Sequence, residues 1–277
     1  MVCASCGVLV GVNDDACYKC GRRNPGLWGF APALRSLGTD LGFVPFLMGA
    51  CFVIYGLMIV FIVGVVGTEN LVPVIISGPS SDGLAIFGAS GARPVFDDDH
   101  WWSVLSAGWL HAGLFHLAMN MFSLRQLAQS VADIFGPGRM VIIYTAGAIV
   151  GFTASSLAGE YLPAIRYLRG ATVTVGASAS IAGLIGAVLA YGHRSGSGTA
   201  RSYANYGIVM LLVIGLVFEN VDNWAHFGGF AGGYFAAKVL DPLKPERIDH
   251  IAIAIGCLAA SMLAVAWSFL SFVLAIR

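Results

Sequence analysis

The sequence predicts an all-α polytopic membrane protein that is preceded by a small cytosolic zinc ribbon. Of its 277 residues, 57% are hydrophobic and 11% are charged, and the mean hydropathy is +0.80. Soluble domains carry about a quarter charged residues, so most of this chain is expected to lie in lipid. The formal net charge is zero, which gives no general preference for nucleic acid, and no nucleic-acid partner is expected.

The N-terminal module is predicted over residues 1–25. Two CxxC pairs, separated by ten residues, supply four thiols: Cys3, Cys6, Cys17 and Cys20. Four thiolates at this spacing are able to surround one Zn²⁺ as a tetrahedron, and about 25 residues are too few to fold without such a metal. A redox CxxC or a metal-free tail is the alternative. We expect a structural zinc site, a cytosolic partner for this module, and a cytosolic linker over residues 26–42.

Seven apolar segments are expected to cross the membrane, because each is long enough for a helix and carries few charges. They cover residues 43–66, 101–124, 140–158, 173–191, 206–218, 224–240 and 251–276. The first six are expected to form a core over residues 43–240. A linker and the seventh helix occupy residues 241–277, and a long external connection is expected over residues 67–100.

Charge placement predicts how these helices are oriented. The chain starts without a long apolar stretch or a basic leader, so the N-terminus is expected in the cytosol. This orientation leaves only four of the fifteen Lys and Arg residues on the external side, namely Arg93, Arg166, Arg169 and Arg277. We therefore expect a bacterial-type plasma (inner) membrane location, with the N-terminus cytosolic and the C-terminus external.

The second segment carries polar side chains that are costly in lipid and therefore point to function. His116 and Asn120 are four residues apart, so both face the same side of a helix. Two hydrogen-bonding groups stacked in this way are able to bind a developing negative charge. An interhelical hydrogen bond without chemistry is the alternative. His111 is expected to point elsewhere and to be structural.

The fourth and sixth segments are rich in small residues, and we expect their helices to pack closely together. VTVGASASIAGLIGA contains Ser178, and NWAHFGGFAGG contains His226. Both residues lie near the external ends of their helices, where a serine and its general base are able to meet. Ser180 is rotated by about 200° from Ser178 and is not expected to share that contact. The residues alone leave an acyl-transfer dyad, a transporter and a channel open.

These segments resemble the rhomboid family of intramembrane serine proteases over about residues 101–240. HAGLFHLAMN resembles the family's HxxxxHxxxN segment, VGASASIAGLIGA its GxSG helix, and AHFGGFAGG its AHxxGxxxG helix. The resemblance implies a rhomboid-like six-helix core plus one C-terminal transmembrane helix. It also implies cleavage of transmembrane protein substrates near the external face, without a catalytic cofactor. Ser178 would be the nucleophile and His226 the base, and the Ser178 amide, His116 and Asn120 would form the oxyanion hole.

Four positions depart from the family pattern. Ser103 replaces an arginine after Trp102, Ala132 replaces a glutamate, Ala179 replaces the glycine after the nucleophile, and Ala182 replaces an aromatic residue. That aromatic residue commonly stacks on the histidine. These departures keep a second function open, namely a catalytically inactive rhomboid-like protein that binds membrane helices.

Overall fold

The structure is a computed structural model that describes residues 3, 5–11, 14–23, 25, 38–67, 71–163, 165, 169–218 and 220–275. The chain divides into two compact units, one that ends at Phe43 and one that begins at Val44. Most of the predicted linker, residues 26–42, lies outside the described residues. So do Arg166 and Arg277, which entered the predicted orientation.

The N-terminal unit contains two knuckles with the same backbone pattern. In each knuckle the amide of the first cysteine, Cys3 or Cys17, donates to the carbonyl five residues later, at 2.8 and 2.9 Å. The amide of the glycine four residues after that cysteine donates back at 2.9 Å in both cases. These glycines, Gly7 and Gly21, both have φ of +69°, a conformation that glycine adopts without steric cost. The CxxC spacing therefore produces two matching turns.

The described residues of the second unit form helices joined by turns and short irregular segments. Its α-helices are α1 (Phe43–Val66), α2 (Leu71–Ser77), α3 (Ser81–Ile86), α4 (Ser103–Ser106), α5 (Leu114–Phe135), α6 (Pro137–Tyr161), α7 (Ser178–Ser195), α8 (Gly198–Val217), α9 (Asn223–Val239) and α10 (Ile248–Ala275). A π-helical turn (Arg93–Asp97) and a 3-10 turn (Ala107–Trp109) complete the set. Seven of these helices are long, which agrees with the seven predicted segments.

Four of the long helices, α1, α6, α8 and α10, are long and apolar enough to cross a membrane by length and composition. The other three, α5, α7 and α9, carry more polar side chains or have fewer residues. Helix α7 buries twelve of its eighteen residues against its neighbours, so its sequence does not need a lipid-facing apolar surface. The all-α membrane architecture predicted from the sequence is confirmed.

The predicted bounds of the second segment were wrong. The sequence placed one helix over residues 101–124, whereas α4 and the 3-10 turn are followed by a break and α5 starts only at Leu114. The break coincides with Gly113, whose φ of +154° is unsuited to a helix. Helix α5 then continues past the polar residues near Arg125, because Leu127, Val131 and Phe135 still face the core at helical spacing.

Three further bounds differ from the prediction. The fourth helix starts at Ser178 rather than at residue 173. Helix α8 starts at Gly198 rather than at residue 206, because the Ser197 side chain caps it by accepting from the Ala200 amide at 3.2 Å. The connection over residues 67–100, expected to be one long loop, contains α2, α3 and the π-helical turn.

Helices α6, α7 and α9 form the centre of the bundle, and their small residues bring the backbones together. A Cβ on Gly229 of α9 would overlap the carbonyl oxygen of Ala179 on α7, and one on Gly233 would overlap that of Gly183. A Cβ on Gly186 of α7 would in turn overlap the carbonyl of Phe230. The predicted close packing of the fourth and sixth segments is therefore confirmed.

Helix α10, the appended seventh segment, is attached to the bundle at both ends. At its start, the buried guanidinium of Arg139 donates to four backbone carbonyls, three of them in the linker before α10, and to the Nδ1 atom of His250 at 3.1 Å. Near its other end, the Ser268 hydroxyl accepts a hydrogen bond from the Trp102 indole at 2.9 Å. This helix is thus part of the folded unit.

Candidate active site

The four residues predicted to carry the chemistry lie near the starts of three helices. Ser178 is the first residue of α7 and is half-buried, and His226 is in the first turn of α9 and is buried. His116 is in the first turn of α5, and Asn120 follows one turn later. The predicted segment over residues 101–124 has both α5 residues in its second half, whereas the structure has them at the start of α5.

Gly176 is the point where the α5 residues meet the segment that leads to Ser178. A Cβ on Gly176 would lie 2.6 and 2.7 Å from ring atoms Cε1 and Nε2 of His116, and 3.5 Å from Nδ2 of Asn120. The φ of Gly176 is +126°, and its amide donates to the Ala107 carbonyl at 3.0 Å. Glycine at this position therefore lets two polar side chains approach the backbone two residues before Ser178.

Hydrogen bonding defines which atoms of this pair are free to donate. The Ala112 amide donates to Nδ1 of His116 at 3.4 Å, which assigns the proton of a neutral ring to Nε2, the nitrogen beside Gly176. The buried Nδ2 of Asn120 has no hydrogen-bond partner within the described part of the chain. Both groups therefore present N–H donors to the same small region, as an oxyanion hole requires.

Ser178 and His226 lie beside a close contact between α7 and α9, the one at Ala179 and Gly229. Ala179 follows Ser178 and Ala225 precedes His226, and these two alanines belong to one buried cluster. The His226 ring also lies close enough to that of His116 to interact electrostatically. Its Nδ1 is buried and makes no hydrogen bond to any described residue. The serine, the histidine and the paired donors thus belong to one end of the bundle.

The predictions for His111 and Ser180 have different outcomes. The sequence predicts that His111 points away from His116, and this is wrong, because the two ring centroids are 5.2 Å apart. Helical periodicity does not hold across the break at Gly113. Ser180 is fully buried and packs toward α6 and Gly108, as its rotation around α7 predicts.

At two of the four positions that depart from the family pattern, residues distant in the chain lie against the substituted site. A Cβ on Gly151 of α6 would lie 2.9 Å from the Ala179 methyl group, so the missing side chain at Gly151 makes room for that methyl group. The carboxylate of Glu246 lies against Gly136 and accepts from the Arg139 amide at 2.7 Å. It supplies an acidic group at the junction of α5 and α6 that Ala132 does not provide.

The other two departures place small residues in buried positions. Ser103 is fully buried, and its hydroxyl lies 3.2 Å from that of Ser90. Ser90 also forms an antiparallel bridge with Thr174, with N···O distances of 3.0 and 2.7 Å. Ser103 and Ser90 therefore link the connection over residues 67–100 to the segment before Ser178. Ala182 is fully buried in α7, and nothing in the structure explains the loss of an aromatic residue there.

Two functional residues, Asp222 and Ser155, are not predicted by the motifs. The sequence predicts Asp222 only as part of an external loop together with Glu219, which lies outside the described residues. In the structure it is the N-cap of α9, and its side chain accepts from the Ala225 amide at 3.0 Å and from the Ser155 hydroxyl at 2.5 Å. An aspartate three residues before Ala225 is a signal for an N-cap, and it was available in the sequence.

The four N-terminal cysteines form a second, separate site. Their sulfur atoms all lie within 4.8 Å of one another, with Cys3–Cys20 at 3.8 Å and Cys6–Cys17 at 3.6 Å. Sulfur atoms on a tetrahedron with Zn–S bonds of about 2.3 Å are about 3.8 Å apart, so the cluster fits a zinc-ribbon-like module. A hydrogen bond from the Ser5 amide lowers the pKa of Cys3 to about 6, which favours the thiolate that metals bind. Although a hydrogen bond from the Val8 amide lowers the pKa of Cys6, desolvation and the neighbouring thiols outweigh it and raise that pKa to about 11.

Comparison with known proteins gives a consistent result. The Rhomboid domain family matches residues 98–242, just over half of the chain. The chain is 30% identical over 190 residues to Rhomboid protease GluP of Bacillus subtilis (65% of this chain, 35% of GluP). It is 34% identical over 167 residues to RHOMBOID-like protein 4 of Arabidopsis thaliana (59% and 40%). It is also 30% identical over 164 residues to Inactive RHOMBOID-like protein 8 of Arabidopsis thaliana (55% and 42%). Each match covers less than half of the relative's length.

Proposed function

This chain belongs to the rhomboid family of integral membrane proteins, and on that basis we propose that it is an intramembrane serine endopeptidase. The observation that carries the proposal is the convergence of His116 and Asn120 on Gly176, two residues before Ser178. A structural hydrogen bond between helices does not need two free N–H donors beside a glycine. A tetrahedral oxyanion formed at Ser178 does need them.

In the proposed reaction, His226 accepts the proton of the Ser178 hydroxyl as the oxygen attacks the scissile carbonyl carbon. Negative charge develops on the carbonyl oxygen, and Nε2–H of His116, Nδ2–H of Asn120 and the Ser178 amide stabilise it. The tetrahedral intermediate collapses, the C–N bond breaks, and the protonated His226 gives its proton to the leaving amine. Water then attacks the acyl-enzyme with His226 as base, which releases the acid product and regenerates Ser178. The dyad needs no cofactor for these steps.

We propose that the substrates are transmembrane protein helices, cleaved near the external membrane face. The proposed orientation has the N-terminus in the cytosol and the C-terminus outside, in a bacterial-type plasma membrane. The proposed domains are a zinc ribbon over residues 1–25, a linker over 26–42, a six-helix core over 43–240, and a linker with the seventh helix over 241–277. The ribbon would hold one structural Zn²⁺ on its four cysteines and bind a cytosolic partner.

Proteolysis of a single-span membrane substrate in detergent tests the enzymatic proposal. Wild-type protein is expected to cleave the substrate and to be labelled on Ser178 by a fluorophosphonate, whereas Ser178→Ala is expected to do neither. Ser261→Ala is the matched control, because Ser261 is a buried serine of α10 whose hydroxyl, among the residues that the structure describes, donates only to the Cys257 carbonyl of its own helix. Equal cleavage by wild type and Ser178→Ala would refute the role of Ser178.

The second candidate is a rhomboid-like protein that binds membrane helices without cleaving them. Ala182, in place of the aromatic residue that commonly stacks on the histidine, favours it, and a relative named as inactive is 30% identical to this chain. This candidate predicts that the substrate co-purifies equally with wild type and Ser178→Ala, and that no serine is labelled. Labelling of Ser178 in the wild type would exclude it.

A further inference from the structure

A chain of hydrogen bonds joins the two elements that carry the dyad. The Ala171 amide, in the segment before Ser178, donates to the Ser155 hydroxyl of α6 at 3.2 Å. The Ser155 hydroxyl donates to one carboxylate oxygen of Asp222 at 2.5 Å, and the other oxygen accepts from the Ala225 amide at 3.0 Å. Since Ser155 is fully buried, its hydroxyl is held between these two partners.

The same carboxylate lies close to the proposed base. Asp222 is four residues before His226, and the His226 amide donates to the Asp222 carbonyl at 3.2 Å in the first turn of α9. The Asp222 carboxylate accepts from the amide of Ala225, the residue before His226, which places its charge within one helical turn of the imidazole. The other ionisable ring that faces His226 is His116 of α5, which is held as a donor by the Ala112 amide. Helix α9 itself contains no acidic residue, so Asp222 at its N-cap is the acidic group that this helix start offers to a positive charge on His226.

We propose that Asp222, held by Ser155, is a positioning residue for the dyad: its carboxylate fixes the first turn of α9 and stabilises the imidazolium form of His226. This inference rests on the proposed function. The sequence predicted a dyad without any carboxylate to support it, and the structure supplies one from the N-cap. The Nδ1 atom of His226 makes no hydrogen bond to any described residue, so the carboxylate acts through its charge and through the helix cap.

A cap without electrostatic function is the competing explanation, and Asp222→Asn separates the two. Asparagine caps helices about as well as aspartate, so this variant keeps the first turn of α9 and removes the charge. Loss of a nearby negative charge makes the imidazole harder to protonate. The acidic limb of the kcat/KM profile is therefore expected to move by about one pH unit toward lower pH, and kcat at neutral pH to fall by about tenfold.

Asp133→Asn is the charge-matched control. Asp133 lies seventeen residues after His116 on the same helix, roughly 25 Å away along its axis, so its charge should not reach the dyad. This variant is expected to keep the wild-type profile. Ser155→Ala is expected to lower kcat with little change in KM, because the carboxylate loses the group that orients it. Ser261→Ala again serves as its control.

Three results decide the inference. A displaced acidic limb in Asp222→Asn, with unchanged thermal stability, supports it. Lower activity with an undisplaced limb shows that Asp222 is a cap only, and an unchanged kcat and limb likewise overturns the inference. If Ser155→Ala does not fold, Asp222→Asn alone decides. Failure of the proposed function gives a different result, namely a wild-type protein that neither cleaves nor labels Ser178.

Discussion

Gly176→Ala is the most direct perturbation of the proposed oxyanion hole. The new methyl group would lie 2.6 and 2.7 Å from the His116 ring, whereas ordinary contacts begin at 3.4 Å. The ring or the backbone must therefore shift by about 0.8 Å, and a displacement near 1 Å costs about a hundredfold in rate. The backbone is also strained, because φ is +126° and such a conformation costs about 1–3 kcal/mol for a residue with a side chain.

The expected result for Gly176→Ala is a folded protein whose kcat is about a hundredfold lower, because at least one oxyanion donor is displaced. The assay is cleavage of the single-span substrate in detergent, with the melting temperature as a check of folding. Gly196→Ala is the matched control, because Gly196 also has a left-handed φ, +73°, but a Cβ there would meet no atom within 4 Å. This control carries a milder left-handed backbone strain without the contact, and its activity should match that of the wild type. Gly176→Ala activity within about threefold of the control would refute the oxyanion-hole geometry.

Four further predictions address packing, anchoring, metal binding and pH. Gly229→Ala should destabilise the bundle by about 3 kcal/mol. Gly256→Ala, where the methyl group would meet no neighbour, should leave stability unchanged or raise it slightly, because alanine favours a helix over glycine. Equal melting temperatures of the two variants would contradict the α7–α9 contact. Arg139→Gln should destabilise the protein by at least about 3 kcal/mol, because four carbonyls lose their donor. The linker before α10 should also become more sensitive to protease. An unchanged digestion pattern would argue against Arg139 as the anchor of that linker. Elemental analysis should find about one zinc per chain and less in Cys17→Ser, while four freely alkylated thiols would reject the site. Cleavage should decline as the pH falls, because only the neutral imidazole of His226 accepts a proton; a flat profile with intact protein would contradict its role as base.

Most of the architecture could be predicted from hydropathy and from the small-residue faces of the helices. Lipid offers no hydrogen bonds to the backbone, so a long apolar segment has to be helical, and the seven predicted segments correspond to seven long helices. Glycines at the spacing of Gly229 and Gly233 serve one purpose in such a helix, which is close approach to another backbone. The partner, the small-residue face of α7, was therefore predictable as well.

Local chain breaks limited the prediction near the site. A window of apolar residues does not reveal that Gly113 ends one element and starts the next, so His111 was placed on the wrong side of His116. The same break moved His116 and Asn120 to the start of α5, where they reach Gly176. Their shared direction was predictable from the spacing of four, because both lie after the break.

By itself, the sequence determined the all-α membrane class, the four-cysteine module, the packing of α7 against α9, and the residue types proposed for the chemistry. Only the tertiary structure decided how the departures are accommodated. Gly151 makes room for Ala179, which lies 28 positions later in the chain. Glu246 contacts Gly136 across more than a hundred positions, and Ser155 donates a hydrogen bond to Asp222 across 67 positions. Periodicity reports which way a side chain faces within one helix. It contains no information about which distant residue faces it, because that is set by how the helices assemble.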